Sequence, residues 1–295
     1  MFTLRLALTL LIAALAAALI APLIAPIVAS AGFHFPFPRI FDRVVMVTLA
    51  IAIWRERHEL GLARRLQAGF AQPLAHLDDA AAGLLLGAAA IGVLWVVAWL
   101  NAPTGSRAQG VALLMALAGN IAAALTIAII EEGFFRAFLL HGMAQDLGWC
   151  GGLIGSSAIY AAAHLVRSPA RFELRGIHPL AGLHNLSASL AQLCHPISAA
   201  PGLFGLFLLG LLLGIGLVRT GRVYFSVGLH TSVILGAKTW HKFAPGAQSA
   251  PPWLAGYGRP PIISGAVAWL VTLALLVVVD RLTRGANAPD RTRHA

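Results

Sequence analysis

The chain alternates between long runs of uncharged, mostly apolar residues and shorter segments that carry its charges. A run of about 20 such residues is long enough to cross the hydrocarbon core of a membrane as an α-helix. The weakest run is the second, where only Val44 to Trp54 and its flanks are uninterrupted. The pattern predicts spans at 4–29, 40–54, 80–100, 111–140, 152–166, 202–218, 223–240 and 262–282.

The composition supports the same class of protein. Hydrophobic residues make up 59% of the 295 residues and charged residues 11%, whereas about a quarter of a soluble domain is charged. The expected fold class is therefore all-α, a polytopic membrane helical bundle of about eight transmembrane helices. We expect one integral membrane domain over residues 1–295, with the motif-bearing core at 111–240.

The basic residues favour contact with membrane lipid over nucleic-acid binding. The net charge is +10, but most basic residues are arginines scattered through short loops, with no patch that alternates with aromatic residues. Loop arginines of this kind contact lipid headgroups and determine topology. The segment from Arg55 to Asp79 mixes charged and apolar residues, which predicts an amphipathic helix at the membrane surface. We expect membrane lipid as a partner and no nucleic acid.

The first run bears on processing and orientation. It resembles a secretory signal that ends in the small residues Ala29-Ser30-Ala31. The stretch from Leu6 to Val28 is 23 residues long, which exceeds the usual signal core of about 7–15 residues, so we interpret it as an uncleaved span, with cleavage as the alternative. With the amino terminus inside, eleven basic residues fall inside and nine outside. This bias favours both termini in the cytoplasm.

Glu131 and Glu132 follow 20 residues without a charged side chain. Ionisable groups at such a depth are energetically unfavourable and usually serve function. Glu132 and Arg136 are four residues apart on one helix face, which predicts an ion pair. Glu131 is rotated by about 100° from Glu132 and is left for chemistry. The alternative is a buried ion network that only fixes helix packing.

Two histidines lie in later predicted spans. His164 shares a helix face with Tyr160, four residues earlier, and His230 lies near the start of the seventh span. Together with Glu131 they supply one carboxylate and two imidazoles. Such a set can deprotonate water and donate a proton to a leaving group, and it can equally bind a divalent metal such as zinc. The spacing does not choose between these two roles.

These motifs resemble those of the CPBP family, the CAAX-processing and bacteriocin-processing (Abi) intramembrane endopeptidases. Glu131-Glu132-x-x-x-Arg136, an aromatic residue four before His164, and His230 occur in the family's order, over about a third of the chain. The resemblance implies a glutamate-dependent protease, formerly described as a metalloprotease. Glu131 and His164 would activate water, Glu132 and Arg136 would support the site, and His230 would stabilise the oxyanion.

The resemblance also implies a substrate class and a location. We expect a peptide or lipidated protein as substrate, a bacterial inner (plasma) membrane as the location, and no cofactor. A divalent metal stays open, and its ligands would be Glu131, His164 and His230.

One position departs from the family pattern. The third motif commonly continues His-x-x-x-Asn, with the Asn sharing the oxyanion role, but here that position is Ile234. Loss of one oxyanion donor typically costs about 10²–10³ in rate. This substitution favours a second hypothesis, a non-catalytic scaffold or immunity-type member of the fold. A proton-coupled transporter would use the same buried groups, but the sequence has no visible inverted repeat.

Overall fold

The computed structural model describes residues 1–101, 110–166, 172, 174, 176, 178–194, 196–243, 251–257 and 262–283. Every regular element in these segments is helical, which confirms the all-α prediction. A π-helical segment at Gly133–Leu140 joins two of the helices, and 3₁₀ turns lie at Pro73–His76 and Gln192–Cys194. The α-helices are α1 (Phe2–Ser30), α2 (Phe37–Arg55), α3 (Leu62–Gly69), α4 (Leu77–Leu100), α5 (Gly110–Glu132), α6 (His141–Leu165), α7 (Ala181–Ala191), α8 (Pro196–Thr220), α9 (Tyr224–Phe243), α10 (Pro252–Ala255) and α11 (Ala266–Thr283).

Four helical stretches in the described residues are long and apolar enough to cross a membrane. This confirms an integral membrane protein built from helices. The stretches are Phe2–Ser30, Pro73–Leu100, Leu113–Leu165 and Ala199–Thr220. Helices α2, α9 and α11 occupy the other three predicted spans but do not meet this criterion over the described residues. The number of eight spans therefore stays a prediction.

The 53-residue stretch Leu113–Leu165 is not one straight rod. Gly148 within α6 has φ 70° and ψ 167°, a conformation that breaks the helix and that side chains with a Cβ rarely adopt. A Cβ on Gly152 would lie 2.8 Å from the backbone nitrogen of Ala144, eight residues earlier. Eight residues of straight helix would separate these positions by about 12 Å. The chain therefore turns back on itself at Gly148, between the two spans predicted there.

The segment between α2 and α4 is less helical than predicted. Its amphipathic helix, expected within Arg55 to Asp79, is the eight-residue α3. Arg65 of α3 is buried, and its Nη2 donates to Gln145 Oε1 at 2.6 Å. A side chain expected at the membrane surface is thus held by protein.

Contacts divide the chain into two compact units, Met1–Ala63 with Ala162–Ala199, and Arg64–Ala161 with Ala200–Ala295. In the first unit α1 packs against α2 and α7. Small residues allow these approaches, because Ala17, Ala18 and Ala21 are fully buried in the core. The single domain over 1–295 stays a prediction.

Helix α9 is central to the second unit, where it packs on both α4 and α5. Against α4 the contact is between backbones. Gly83 and Gly87 face the backbone of Phe225 and Leu229, and Gly228 faces that of Ala80. Small residues allow membrane helices to approach this closely. The result is a fixed position for α9, the helix that carries His230.

Gly83→Ala should destabilise the protein, since a Cβ there would meet the backbone of Phe225 and lie 3.0 Å from Leu229 N. Overpacking of this kind costs about 1–3 kcal/mol, so the midpoint of thermal unfolding in detergent should fall. Gly92→Ala on the same helix is the matched control, because nothing lies within 4 Å of its Cβ. The control should be neutral or slightly stabilising. Equal midpoints for the two variants would contradict the proposed close packing.

Candidate functional site

The two acidic residues of the predicted site lie at the end of α5, directly before the π-helical segment. A π-helix follows an i→i+5 pattern, and such segments often occur at functional sites. Phe135, Arg136 and Phe138 of the segment are buried. The side chains of the π-helical segment that follows Glu132 are thus directed into the interior of the second unit.

Glu132 and Arg136 form the predicted ion pair. Arg136 Nε lies 3.3 Å from Glu132 Oε2, and both side chains are fully buried. The terminal nitrogens of Arg136 have no hydrogen-bond partner among the described residues. The guanidinium carbon lies 4.8 Å from the centre of the Tyr160 ring, so a cation–π contact compensates part of the charge.

His230 of α9 bridges to the same carboxylate. Its Nδ1 lies 2.8 Å from Glu132 Oε1, while Oε2 of the same carboxylate faces Arg136 Nε as an ion pair without a hydrogen bond. A carboxylate only accepts hydrogen bonds, and Nδ1 must therefore be the protonated nitrogen that donates. A neutral ring then presents Nε2 as an acceptor.

Glu131 faces the other nitrogen of the same ring. Its Oε2 lies 3.8 Å from His230 Nε2, and 25% of its side chain is exposed. The expectation that Glu131 and Glu132 point to different places is therefore only partly right. The His230 ring lies between the two carboxylates, with Nδ1 next to Glu132 and Nε2 next to Glu131. Exposure separates them, since Glu132 is fully buried and Glu131 reaches the surface of the unit.

Tyr160 completes the cluster and has a larger part than sequence reasoning gave it. Its hydroxyl lies 3.4 Å from His230 Nε2, and its ring meets Phe135 edge-on at 5.1 Å. The reversal at Gly148 explains the meeting: Glu132 lies 16 residues before it and Tyr160 12 residues after it. Both are thus about 20 Å from the turn. The signal in the sequence was a tyrosine four residues before a histidine.

His164 and Ile234 complete the account of the predicted positions. His164 is half-buried in the last turn of α6 and belongs to the first unit, whereas the other four predicted site residues belong to the second. Ile234 packs against the apolar cluster that contains Leu140 and Val227. Its side chain faces these apolar residues and supplies no polar group.

The charges of the cluster do not cancel when His230 is neutral. Two carboxylates and one guanidinium leave a net charge of −1, so one more proton makes the cluster neutral. Among the described residues no group of three or more His, Cys, Asp and Glu side chains is arranged to hold a metal ion. The expectation of no cofactor and the open question of a divalent metal at Glu131, His164 and His230 both stay predictions.

Comparison with known proteins finds a family model that matches part of the chain. The model for type II CAAX prenyl endopeptidase, Rce1-like, matches residues 110–235. This segment contains the three motifs and the whole cluster around His230. The match supports the CAAX-protease (CPBP) family that the motifs resemble. No curated protein and no solved structure matches the chain.

Arg136→Met should strongly destabilise the protein because it leaves Glu132 buried without its cation. Breaking a buried pair by removing one partner costs about 3–5 kcal/mol. The double variant Glu132→Gln/Arg136→Met removes both charges and should regain a large part of that loss. Thermal unfolding in detergent measures both effects. A double variant less stable than Arg136→Met would contradict the assignment of the pair.

Proposed function

We propose that the chain hydrolyses a peptide bond of a membrane-associated peptide or lipidated protein, with Glu131 as the base that activates water. The observation that carries this proposal is the contrast between two adjacent carboxylates. Glu132 is fully buried between Arg136 and His230, whereas Glu131 is 25% exposed beside His230. In this arrangement Glu132 supports the site, and Glu131 is the carboxylate within reach of solvent and substrate.

In the proposed reaction one proton moves from water to Glu131 and then from Glu131 to the leaving nitrogen. Glu131 removes a proton from water while the water oxygen bonds to the carbonyl carbon, and the carbonyl π electrons move to its oxygen. The oxyanion then re-forms the C=O bond as the C–N bond breaks, and protonated Glu131 gives its proton to the leaving nitrogen. A correctly placed base that becomes an acid in this way contributes about 10²–10⁴ in rate.

His230 can stabilise the oxyanion only as the doubly protonated ring. Its Nδ1 proton is directed at Glu132, so donation to substrate needs a second proton on Nε2. This is the proton that makes the cluster neutral. A neutral cluster of two carboxylates, one guanidinium and one imidazolium avoids an uncompensated charge inside a membrane protein.

The roles of His164, substrate and membrane rest on the family. From the order of the family's motifs, we propose that His164 acts on the same water as Glu131. The similarity of residues 110–235 to the model for type II CAAX prenyl endopeptidases favours a prenylated carboxy terminus as substrate. A bacterial inner membrane with both termini in the cytoplasm is the location we propose, from the family and from the arginine bias.

Glu131→Gln and His164→Ala should each abolish cleavage of a prenylated reporter peptide in membranes. Neither change removes the Glu132–Arg136 pair, so the protein should still insert, as measured by membrane extraction and thermal stability. Asp78→Asn is the control, because this carboxylate lies on the exposed side of α4. Full activity of Glu131→Gln in an otherwise inserted protein would refute its role as base.

Tyr160→Phe should lower kcat by about 10–100-fold, because small misplacements of reacting groups have effects of this size. The change removes only the hydroxyl near His230 Nε2 and keeps the ring contacts with Arg136 and Phe135. KM and thermal stability should stay close to those of the wild type. Tyr257→Phe, at an exposed tyrosine, is the control. An unchanged kcat would remove the hydroxyl from the mechanism.

Ile234 favours a second function, a non-catalytic membrane scaffold or immunity-type protein. The side chain lies against apolar residues where the family commonly has a donor. Under this function Glu131→Gln leaves the cellular phenotype intact, while Glu132→Ala destabilises the fold. Under the endopeptidase function Glu131→Gln alone abolishes the phenotype. The two proposals thus predict opposite results for one variant.

A further inference from the structure

A groove of about 600 Å³ runs between α1 and α2 in the first unit. Its walls are almost entirely aliphatic. From α1 they include Ile20, Ile24 and Val28, and from α2 they include Val44, Val47 and Ile51. Thr48 also lines the groove, but its hydroxyl donates to Val44 O at 2.9 Å within the helix. The lining therefore offers no unused hydroxyl along the apolar part.

One end of the groove is basic. Arg39 and Arg43 are the charged residues of the lining, and both are exposed. They lie one turn apart on the same face of α2. The guanidinium of Arg39 is 5.2 Å from the centre of the Phe35 ring, and Arg43 Nη1 is 3.3 Å from the sulfur of Met46. Asp42, the neighbouring acid, does not line the groove.

This end lies beside the turn that joins α1 to α2. Irregular backbone exposed to lipid does not occur within the hydrocarbon region, so the turn belongs at the membrane–water boundary. Phe33 and Phe35 of the turn stack at 6.1 Å. The basic end is thus at headgroup level and the aliphatic walls extend into the hydrocarbon. From Arg39 to Ile51 the groove follows α2 for about 18 Å.

We propose that this groove binds one anionic phospholipid. An acyl chain lies between the aliphatic walls of α1 and α2, and the phosphate accepts hydrogen bonds from Arg39 and Arg43. Two guanidinium groups without a lining carboxylate favour a headgroup with net negative charge over a zwitterionic one. Basic pockets between membrane helices recognise anionic headgroups in this way.

The chemistry of the groove argues for a lipid rather than a helix of another protein, because two guanidinium groups at its basic end match a phosphate. A single acyl chain is thin enough for a volume of about 600 Å³. The site lies wholly in the first unit, so it is independent of the chemistry proposed for Glu131.

Native mass spectrometry of the purified full chain tests the proposal. The protein is released from mixed micelles that contain equal amounts of phosphatidylglycerol and phosphatidylcholine. The wild type should retain phosphatidylglycerol at least about tenfold over phosphatidylcholine, and the preference should fall with added salt because charge attraction is screened. Arg39→Gln/Arg43→Gln should retain the two lipids equally. Equal retention by the wild type, or an unchanged preference in the double variant, would overturn the proposal.

Arg55→Gln is the matched control, since it is an exposed arginine of the same helix outside the groove. This variant should keep the wild-type preference for phosphatidylglycerol. If Arg55→Gln loses that preference, the effect of arginine removal is a general charge effect and the proposed site is rejected. Val47→Trp fills the groove and should reduce retention of the anionic lipid in a protein of normal thermal stability. If a neutral farnesyl probe displaces the lipid equally well from the wild type and the double variant, the occupant is an uncharged chain and the phospholipid assignment fails.

Discussion

The carboxylate of Glu132 holds together three parts of the second unit. One oxygen pairs with Arg136 across the π-helical segment, and the other accepts from His230 of α9. Because these groups are buried, each partner is needed to offset the others. The position of Glu131 depends on this arrangement, since it follows from the residue next to it in the chain. The proposed chemistry therefore rests on a carboxylate that takes no direct part in it.

Net charge places a second constraint on the cluster. With two acids, one guanidinium and one imidazole, the group reaches neutrality only when it holds an additional proton. In the proposed mechanism that proton lies on His230 Nε2, where it can face the developing oxyanion. Hydrolysis needs a proton that leaves water and later reaches the departing nitrogen.

Hydrophobic runs were sufficient to locate the long helices, because burial in lipid depends on length and composition more than on detail. The Glu132–Arg136 pair was also accessible, since i,i+4 spacing predicts it. Three features were not. The π-helical segment and the turn at Gly148 depend on local backbone geometry that apolar patterning does not encode. The contact of Tyr160 with His230 joins residues 70 positions apart, a separation that no local spacing rule predicts.

The turn at Gly148 also limits how a peptide reaches Glu131. Irregular backbone belongs near the membrane surface, so a cluster about 20 Å below that turn lies roughly 10 Å from the opposite face of a 30 Å hydrocarbon layer. An extended chain advances about 3.3 Å per residue. From the nearer face about three unwound residues suffice to bring a peptide bond to the carboxylate, and from the Gly148 side about six are required. A short flexible terminus is thus better suited to entry than the middle of a stable helix.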